Sequence, residues 1–123
     1  MFRVIGRGAK LEVRQDGKKL LRIRIAAEVD GVRSEYTITY SRRGADNAAE
    51  GYAYASANAP GGRKADAERF SALVKALTGE KPGVYRKKNG QIMIECYEGH
   101  LEGFARFAEL ADVIMKWLEE TGR

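Results

Sequence analysis

Three short turns, each ending in glycine, separate runs of alternating apolar and charged residues along the chain. The three dipeptides are Asp16-Gly17, Asp30-Gly31 and Asn89-Gly90. Aspartate, asparagine and glycine tolerate the positive φ that a tight hairpin turn requires, so each dipeptide predicts an antiparallel hairpin. A hairpin fixes which side chains share one face of a sheet. These turns therefore constrain the fold more strongly than any other feature of the sequence.

The second hairpin, residues 18–41, has one register that keeps its apolar side chains on one face. A two-residue loop at Asp30-Gly31 pairs Ile23 with Ile38 and Ile25 with Tyr36. The arginines and threonines between them then occupy the opposite face. The sequence therefore predicts a half-buried hairpin with a well-specified register.

The other two hairpins differ in how firmly the sequence sets their loops. In the first, a two-residue loop would set Leu11 against Arg22 and mix the two faces. A three-residue loop over residues 15–17, with its glycine at the left-handed bulge position, pairs Leu11 with Leu21 instead. In the third hairpin, residues 84–97, two- and three-residue loops serve equally well.

Two helices are predicted around the third hairpin. Residues 65–78 carry an apolar stripe, and Gly79 and Pro82 mark where that helix ends. Residues 99–120 are predicted to form the other helix, which buries Leu101, Phe104, Phe107, Ala108, Ala111, Ile114, Met115 and Leu118. Residues 51–58 alternate small and larger side chains, which favours a fourth strand over the helix that their alanines also allow.

These elements predict one α+β domain over residues 1–123. Its antiparallel sheet combines a hairpin meander with a C-terminal hairpin, and its two helices pack on one face of that sheet. The length of 123 residues suits a single hydrophobic core.

Positive charge is concentrated in the hairpins. Residues 1–43 hold 11 basic and 5 acidic side chains, whereas residues 98–123 hold 3 and 6, within a total net charge of +5. The registers predict a solvent face with Lys10, Glu12 and Glu35 beside four arginines, and guanidinium groups at strand spacing suit a phosphate backbone. We therefore expect nucleic-acid contacts from Arg14, Arg22, Arg24 and Arg33. The alternatives are a solvated charged face, or a face covered by a further layer or a partner subunit.

Further basic residues lie at the margins of this predicted face. Arg63 and Lys64 follow Pro60-Gly61-Gly62, a loop that either contacts phosphate at a helix N-terminus or is a plain linker. Lys87 and Lys88 lie in the third hairpin. We take Arg63, Lys64, Lys87 and Lys88 as secondary nucleic-acid contacts, with Arg42, Arg43 and Arg86 beside them.

Six tyrosines accompany the strands. Tyr36 and Tyr40 share the apolar face of the second hairpin and are predicted to lie in the core. The simpler interpretation of the others places them at core edges with hydrated hydroxyl groups. If they lie beside the basic face instead, they can stack on bases as in single-strand binders. These four are Tyr52, Tyr54, Tyr85 and Tyr97.

The sequence offers little material for catalysis or metal binding. His100 is the only histidine and Cys96 the only cysteine, so a zinc site of ordinary composition cannot be built within one chain. We expect no cofactor, no metal and no enzymatic activity. No apolar run approaches the length of a membrane span, and no signal-peptide core is recognisable. A cytoplasmic location is the expectation, and few amides among many ionic residues suggest a thermophilic source.

Five segments of the chain resemble one known family, and they are RSEYTITY (33–40), RRGADNAA (42–49), APGGR (59–63), FSALVKALTG (70–79) and LEETGR (118–123). Through them most of residues 20–123 resembles a large archaeal family of paralogous repeat proteins whose activity is uncharacterised. The resemblance implies an archaeal source.

A shorter segment, LEGFARFAE at residues 101–109, resembles the dodecapeptide helix of LAGLIDADG homing endonucleases. Members of that family bind DNA on a saddle-shaped sheet and carry a metal-binding carboxylate near the end of the helix. Arg106 and Ala108 stand where acidic residues are expected. The resemblance therefore implies a degenerate, nuclease-like protein.

The sequence thus predicts a non-catalytic, nucleic-acid-binding module that uses a basic sheet face, for DNA or RNA. One alternative is a protein-interaction or oligomerisation domain of a larger archaeal protein. Such a domain would dimerise through a sheet edge or through Met115, Trp117 and Leu118. The other alternative is the degenerate LAGLIDADG-like nuclease.

Overall fold

The structure, a computed structural model, describes residues 1–122, so Arg123 lies outside it. Six strands form one antiparallel sheet in the order β1-β2-β3-β4-β6-β5, accompanied by three helices. The predicted α+β class is therefore confirmed. The strands are β1 (Phe2–Val13), β2 (Lys19–Val29), β3 (Val32–Arg43), β4 (Ala48–Tyr54), β5 (Gly83–Arg86) and β6 (Ile92–Cys96). The helices are α1 (Gly62–Thr78), α2 (Glu98–Phe104) and α3 (Ala108–Thr121).

The registers of the first two hairpins agree with the prediction. Leu11 pairs with Leu21 in the first, and Ile23 pairs with Ile38 in the second. Gly17 has φ +83° and donates its backbone N–H to the carbonyl of Arg14 at 2.9 Å, which closes the three-residue loop. These turns therefore determine which side chains lie on each face of the sheet.

The structure decides two points that the sequence left open. The β5–β6 hairpin has a three-residue loop over residues 88–90, because Lys87 donates its backbone N–H to the carbonyl of Gln91 at 2.8 Å. Gly90, with φ +90°, occupies the left-handed position. Residues 48–54 form β4, so the predicted fourth strand is correct, although it ends before residue 58.

The core lies between the sheet and the helices, all of which pack on one side. Ile23, Ile38 and Ile94 point to that side and are no more than 1 % exposed. Phe70 and Leu73 of α1 and Trp117 of α3 pack against them. Trp117 also donates its indole N–H to the carbonyl of Lys19 at 3.0 Å, which fastens α3 to β2.

The prediction of one continuous helix over residues 99–120 is wrong. This segment is divided into α2 and α3 by residues 105–107. Leu101 of α2 and Leu110 of α3 are both buried, yet a continuous helix would set them about 180° apart at roughly 100° per residue. The break brings both apolar stripes to the core. Consequently Leu110 and Trp117 are buried instead of the predicted Ala108 and Met115, which are exposed.

Candidate nucleic-acid interface

The side of the sheet opposite the helices, here called the open face, carries the predicted basic residues. In β2 the buried Leu21, Ile23 and Ile25 alternate with Arg22 and Arg24, whose side chains are 36 % and 56 % exposed. No helix within residues 1–122 packs on this side of the sheet, as the helices contact its other face. The hairpin registers therefore place the arginines where solvent or a ligand can reach them.

Three of the four main predicted contact residues form ion pairs with neighbouring carboxylates. Arg22 lies 2.7 Å from Glu12, and Arg24 lies 3.0 Å from Glu35 across the strands. Arg14, in the first loop, lies 3.3 Å from the carboxylate of Asp16. The open face is consequently less positive than a count of its arginines suggests.

Arg33 is the fourth predicted contact residue and differs from the other three. It is exposed at the start of β3, opposite Glu28 in the register. Within residues 1–122 no ion pair involves Arg33, and the same holds for Lys10 and Arg43, which also belong to the open face. These three cations are free to meet an anionic ligand.

Four tyrosines lie on the open face beside the arginines. The register pairs Tyr52 with Thr39 of β3 and Tyr85 with Met93 of β6, and all these side chains point away from the helices. Tyr54, Tyr85 and Tyr97 are 41 %, 47 % and 37 % exposed, and Tyr52 is half-buried. Tyr52, Tyr54 and Tyr85 therefore do not lie at the edge of the core, whereas the ring of Tyr97 also borders it, 6.0 Å from the ring centroid of the buried His100. The tyrosine patch is defined as Tyr52, Tyr54, Tyr85 and Tyr97.

Neighbouring side chains hold the rings of the tyrosine patch in place. Tyr52 and Tyr54 meet edge to face, with ring centroids 6.0 Å apart and planes at 68°. Lys87 donates from Nζ to the hydroxyl of Tyr54 at 3.2 Å and lies 5.3 Å from the centre of its ring. Lys87, predicted as a secondary contact, is thus brought directly to the patch.

At the other end of the patch, the hydroxyl oxygens of Tyr85 and Tyr97 are 3.0 Å apart. This hydrogen bond, together with partial burial and the neighbouring Glu95 carboxylate, raises the pKa of the Tyr97 phenol. Gly83 leaves room for the ring of Tyr85, since a Cβ at position 83 would lie 2.8 Å from Tyr85 Cε2. The Tyr97 phenol therefore stays neutral at physiological pH and can accept or donate a hydrogen bond.

A concave region of about 420 Å³ lies on the open face between β3, β4 and β6. Tyr52, Tyr54 and Met93 provide its apolar surface. Arg43 and Lys87 bring positive charge to its border, and Glu50 and Glu95 bring negative charge. A planar group with polar edges, such as a nucleobase, suits this combination of aromatic surface, donors and acceptors.

The arginines and the tyrosine patch meet along one row across the sheet. Arg22 of β2 neighbours Thr39 of β3, which in turn neighbours Tyr52 of β4. Adjacent strands are about 4.8 Å apart, so Arg22 and Tyr52 are anchored about 10 Å apart. Thr39 between them is only 6 % exposed. A basic half and an aromatic half therefore form one continuous surface.

The remaining predicted contacts are placed away from the centre of the open face. Arg63 and Lys64 are exposed in the first turn of α1, and Lys88 is exposed in the β5–β6 loop. A Cβ at Gly90 would lie 3.6 Å from Nη1 of Arg63, so Arg63 reaches that same loop. The three form a border at one end of the molecule.

Three residues assigned to surface roles from the sequence are placed differently. Arg42 lies on the helix side of the sheet, 5.0 Å from the ring centre of Trp117. Arg86 also points to the helix side, where it borders α1. Trp117 itself is fully buried and cannot form part of a dimer surface, whereas Met115 is 51 % exposed. The break between α2 and α3 accounts for the error at Trp117.

The cysteine and the histidine are both buried. Burial raises the pKa of the Cys96 thiol to about 12, and its side chain is fully buried. His100 accepts the backbone N–H of Tyr97 at Nδ1 (2.9 Å), and its Nε2 lies 3.0 Å from the carbonyl of Lys81. In the described part of the chain, no three His, Cys, Asp or Glu side chains are grouped to hold a metal ion.

The sequence located the arginines of this surface but not its aromatic half. The alternation in residues 51–54 indicated a strand, yet the side on which each of its residues lies depends on pairing with Thr39 and Glu95, which are distant in sequence.

No helix among residues 1–122 is both long and apolar enough to cross a membrane. Comparison of the chain with protein-family models, curated proteins and solved structures found no match.

Proposed function

We propose that the protein is a non-catalytic module that binds single-stranded nucleic acid on its open face. The observation that carries the proposal is the presence of the tyrosine patch and of unpaired cations on one uncovered side of the sheet. Exposed aromatic rings stack on unpaired bases, whereas a duplex hides the faces of its bases. The mode of binding thus favours single strands over double strands.

In this mode each half of the open face has its own role. Tyr54 and Tyr85 offer ring faces for stacking, and the concave region beside Tyr52 accepts the edge of a base. Arg33 and Arg43 contact phosphates and release their counterions. Arg22 and Arg24 join them by exchanging a carboxylate partner for a phosphate, which presents similar acceptor geometry.

The experiment is a fluorescence-anisotropy titration of a labelled oligothymidylate of about 16 nucleotides, the upper end of the site size of one small module. We expect the single strand to bind more tightly than a duplex of equal length. Tyr54→Ala should weaken binding by about 1–3 kcal/mol, the contribution of one stacked base. Arg33→Ala should lower the slope of log affinity against log salt by about 0.7.

The matched controls lie on the helix side of the molecule. Met115→Ala removes an apolar side chain of similar exposure, and Lys116→Ala removes a cation from α3. Neither variant should change the affinity. Absence of binding to single- or double-stranded DNA or RNA at low salt contradicts the proposal. So does a Tyr54→Ala, Tyr85→Ala double variant that binds as tightly as the wild type.

A second candidate function, self-association, is favoured by the outer edge of β1. This strand of 12 residues pairs with β2 alone, and Phe2 and Ile5 on it are 42 % and 47 % exposed. A long open edge with apolar side chains is a template for pairing with another strand. Sedimentation over a range of concentrations tests this candidate, and a monomer at every concentration rules it out.

The thermophilic source and the cytoplasmic location stay proposals that other measurements test. One observation favours the first: Lys19 and Lys116 lie 2.9 and 3.9 Å from Glu120 and form a small ion-pair network. A thermal unfolding midpoint in the ordinary mesophile range would contradict a thermophilic source. Localisation of a tagged protein in cells tests the cytoplasmic assignment.

A further inference from the structure

A second surface, independent of the open face, lies between α1 and β5 on the helix side of the sheet. It is a groove of about 460 Å³. Ala67 and Ile92, both buried, contribute to its floor, and the exposed Val84 forms part of its wall. Ala72 and Ser71 on α1 keep the helix side of the groove shallow. The groove thus offers apolar contact to a chain lying along β5.

The strand that borders this groove has an open edge. β5 is the last strand of the sheet and pairs only with β6. In an antiparallel pair of strands, every second pair of opposite residues exchanges backbone hydrogen bonds. Because Lys87 is hydrogen-bonded to Gln91, the pair of Tyr85 and Met93 is also a hydrogen-bonded pair. The backbone N–H and C=O groups of Val84 and Arg86 therefore point outward. They can pair with an added strand.

Charge around the groove is strongly one-sided. Four cations line it, Lys64, Lys75, Lys81 and Arg86, against one carboxylate, Glu68. Within residues 1–122 none of these five side chains forms an ion pair. Cations on an edge strand discourage pairing between copies of that strand by repulsion. They attract a strand of opposite charge.

We propose that this groove binds an extended protein segment that adds a seventh strand to the sheet beside β5 and carries both apolar and acidic residues on its helix-facing side. The open edge supplies backbone hydrogen bonds, and every second side chain of the segment points to the helix side. There the apolar wall receives its apolar side chains and the four cations meet its carboxylates. A nucleic-acid strand would use the cations but has no groups that match a strand edge. The combination therefore favours a protein segment.

The experiment titrates the protein into a fluorescein-labelled peptide of about eight residues in which valine and glutamate take turns at every second position and threonine fills the positions between them, so that valine and glutamate share one face of the strand. We expect this peptide to bind and the matching valine–lysine peptide not to bind. Val84→Pro removes an outward N–H without removing a bond to β6, and should weaken binding about tenfold. The double variant Lys81→Glu, Arg86→Glu should weaken it further and does not depend on whether Val84→Pro folds. Lys10→Glu, on the open face, serves as the control and should bind normally.

Nuclear magnetic resonance on the same samples locates the site. The amide signals of Val84 and Arg86 should shift on addition of the glutamate peptide and should exchange more slowly with solvent. Absence of peptide binding overturns the proposal, as does equal binding by the Lys81→Glu, Arg86→Glu variant. Shifts at Val84 and Arg86 with an oligothymidylate but not with the peptide would assign the groove to nucleic acid instead. Tyr54→Ala should leave peptide binding unchanged, which separates this test from that of the proposed function.

Discussion

Gly51 shows how one missing side chain permits the sheet to pack. It lies in β4 on the core side, opposite Tyr40 of β3, whose ring is fully buried. A Cβ at position 51 would lie 2.7 Å from Tyr40 Cε2 and 2.9 Å from Ile38 Cγ2. Tyr40 is held by the bond from its hydroxyl to the carbonyl of Tyr97 at 3.0 Å, so its ring has little room to move. Position 51 therefore requires glycine for reasons of space.

We predict that Gly51→Ala lowers the free energy of unfolding by about 1–3 kcal/mol, the usual cost of overpacking a core. Chemical denaturation measures the change. Gly8→Ala is the control, because a Cβ at Gly8 meets nothing within 4 Å, and it should change stability by no more than about 0.5 kcal/mol. Equal stabilities of the two variants would refute the packing argument.

Three buried ionisable side chains, Cys96, Tyr36 and Tyr40, should make the stability of the protein depend on alkaline pH. Burial raises the pKa of Cys96 to about 12 from an ordinary value of 9.0, and burial also raises the pKa values of Tyr36 and Tyr40. A raised pKa in the folded state stabilises the protein below the unfolded pKa, and this stabilisation is lost as pH rises. Between pH 9 and 12 the free energy of unfolding should therefore fall, by at most about 1.4 kcal/mol per pH unit for Cys96.

Denaturant unfolding at several alkaline pH values measures this slope. In Cys96→Ala one of the three buried groups is gone, so the slope should be smaller above pH 9. Identical slopes in the variant and the wild type would mean that Cys96 ionises normally in the folded protein. At neutral pH, a thiol reagent should react with Cys96 only after unfolding.

At the scale of elements, the hairpins are the part of the fold that the sequence determines locally. In the β2–β3 turn Asp30 and Gly31 both have positive φ, at 50° and 82°. Nothing lies within 4 Å of a Cβ placed at Gly31, so its role is conformational. Its substitution thus tests the turn without disturbing the packing.

We predict that Gly31→Ala destabilises the protein by about 1–2 kcal/mol, the cost of the left-handed conformation for a residue with a Cβ. Gly31→Asn should cost less, because asparagine tolerates this conformation. Thermal or chemical unfolding of both variants measures the difference. An alanine variant as stable as the asparagine variant would contradict the role of the turn.

The sequence predicted the features that local interactions determine and missed those that depend on residues distant in the chain. Local turn chemistry sufficed for the registers of β1–β3, where Leu11 pairs with Leu21 and Ile23 with Ile38. Helical periodicity failed at residues 105–107, because none of these three is proline or glycine and the nearby Gly103 lies inside α2. The break in the helix lets both Leu101 and Leu110 be buried against the sheet. The side of the sheet on which Tyr54 lies depends on long-range strand pairing, so local sequence patterns could not predict it either.

At the scale of the whole molecule, the sheet separates two environments. One side of the sheet is covered by the three helices and forms the hydrophobic core with them. The other carries the tyrosine patch and cations, several of which are held by carboxylates. Glu35, 3.0 Å from Arg24, competes with any phosphate for that guanidinium. Under the proposed function, the carboxylates of the open face therefore lower its affinity for nucleic acid.

We predict that Glu35→Gln strengthens oligothymidylate binding at low salt by on the order of two- to fivefold, because Arg24 loses its competing partner. The gain should shrink as salt screens the charge. Glu109→Gln is the matched control, since it removes an equal charge from an ion pair of 2.9 Å with Arg7 on the helix side. An equal gain in both variants would indicate an effect of net charge alone.

Under the proposed function, the open face binds single-stranded nucleic acid by stacking bases on its tyrosines and pairing phosphates with its cations. Chemical-shift mapping of the nitrogen-15-labelled protein with an oligothymidylate is the decisive measurement. We expect the largest shifts at Arg24, Tyr52, Tyr54 and Met93, with few changes in α3. Largest shifts on the helices, or no shifts at low salt, would contradict it.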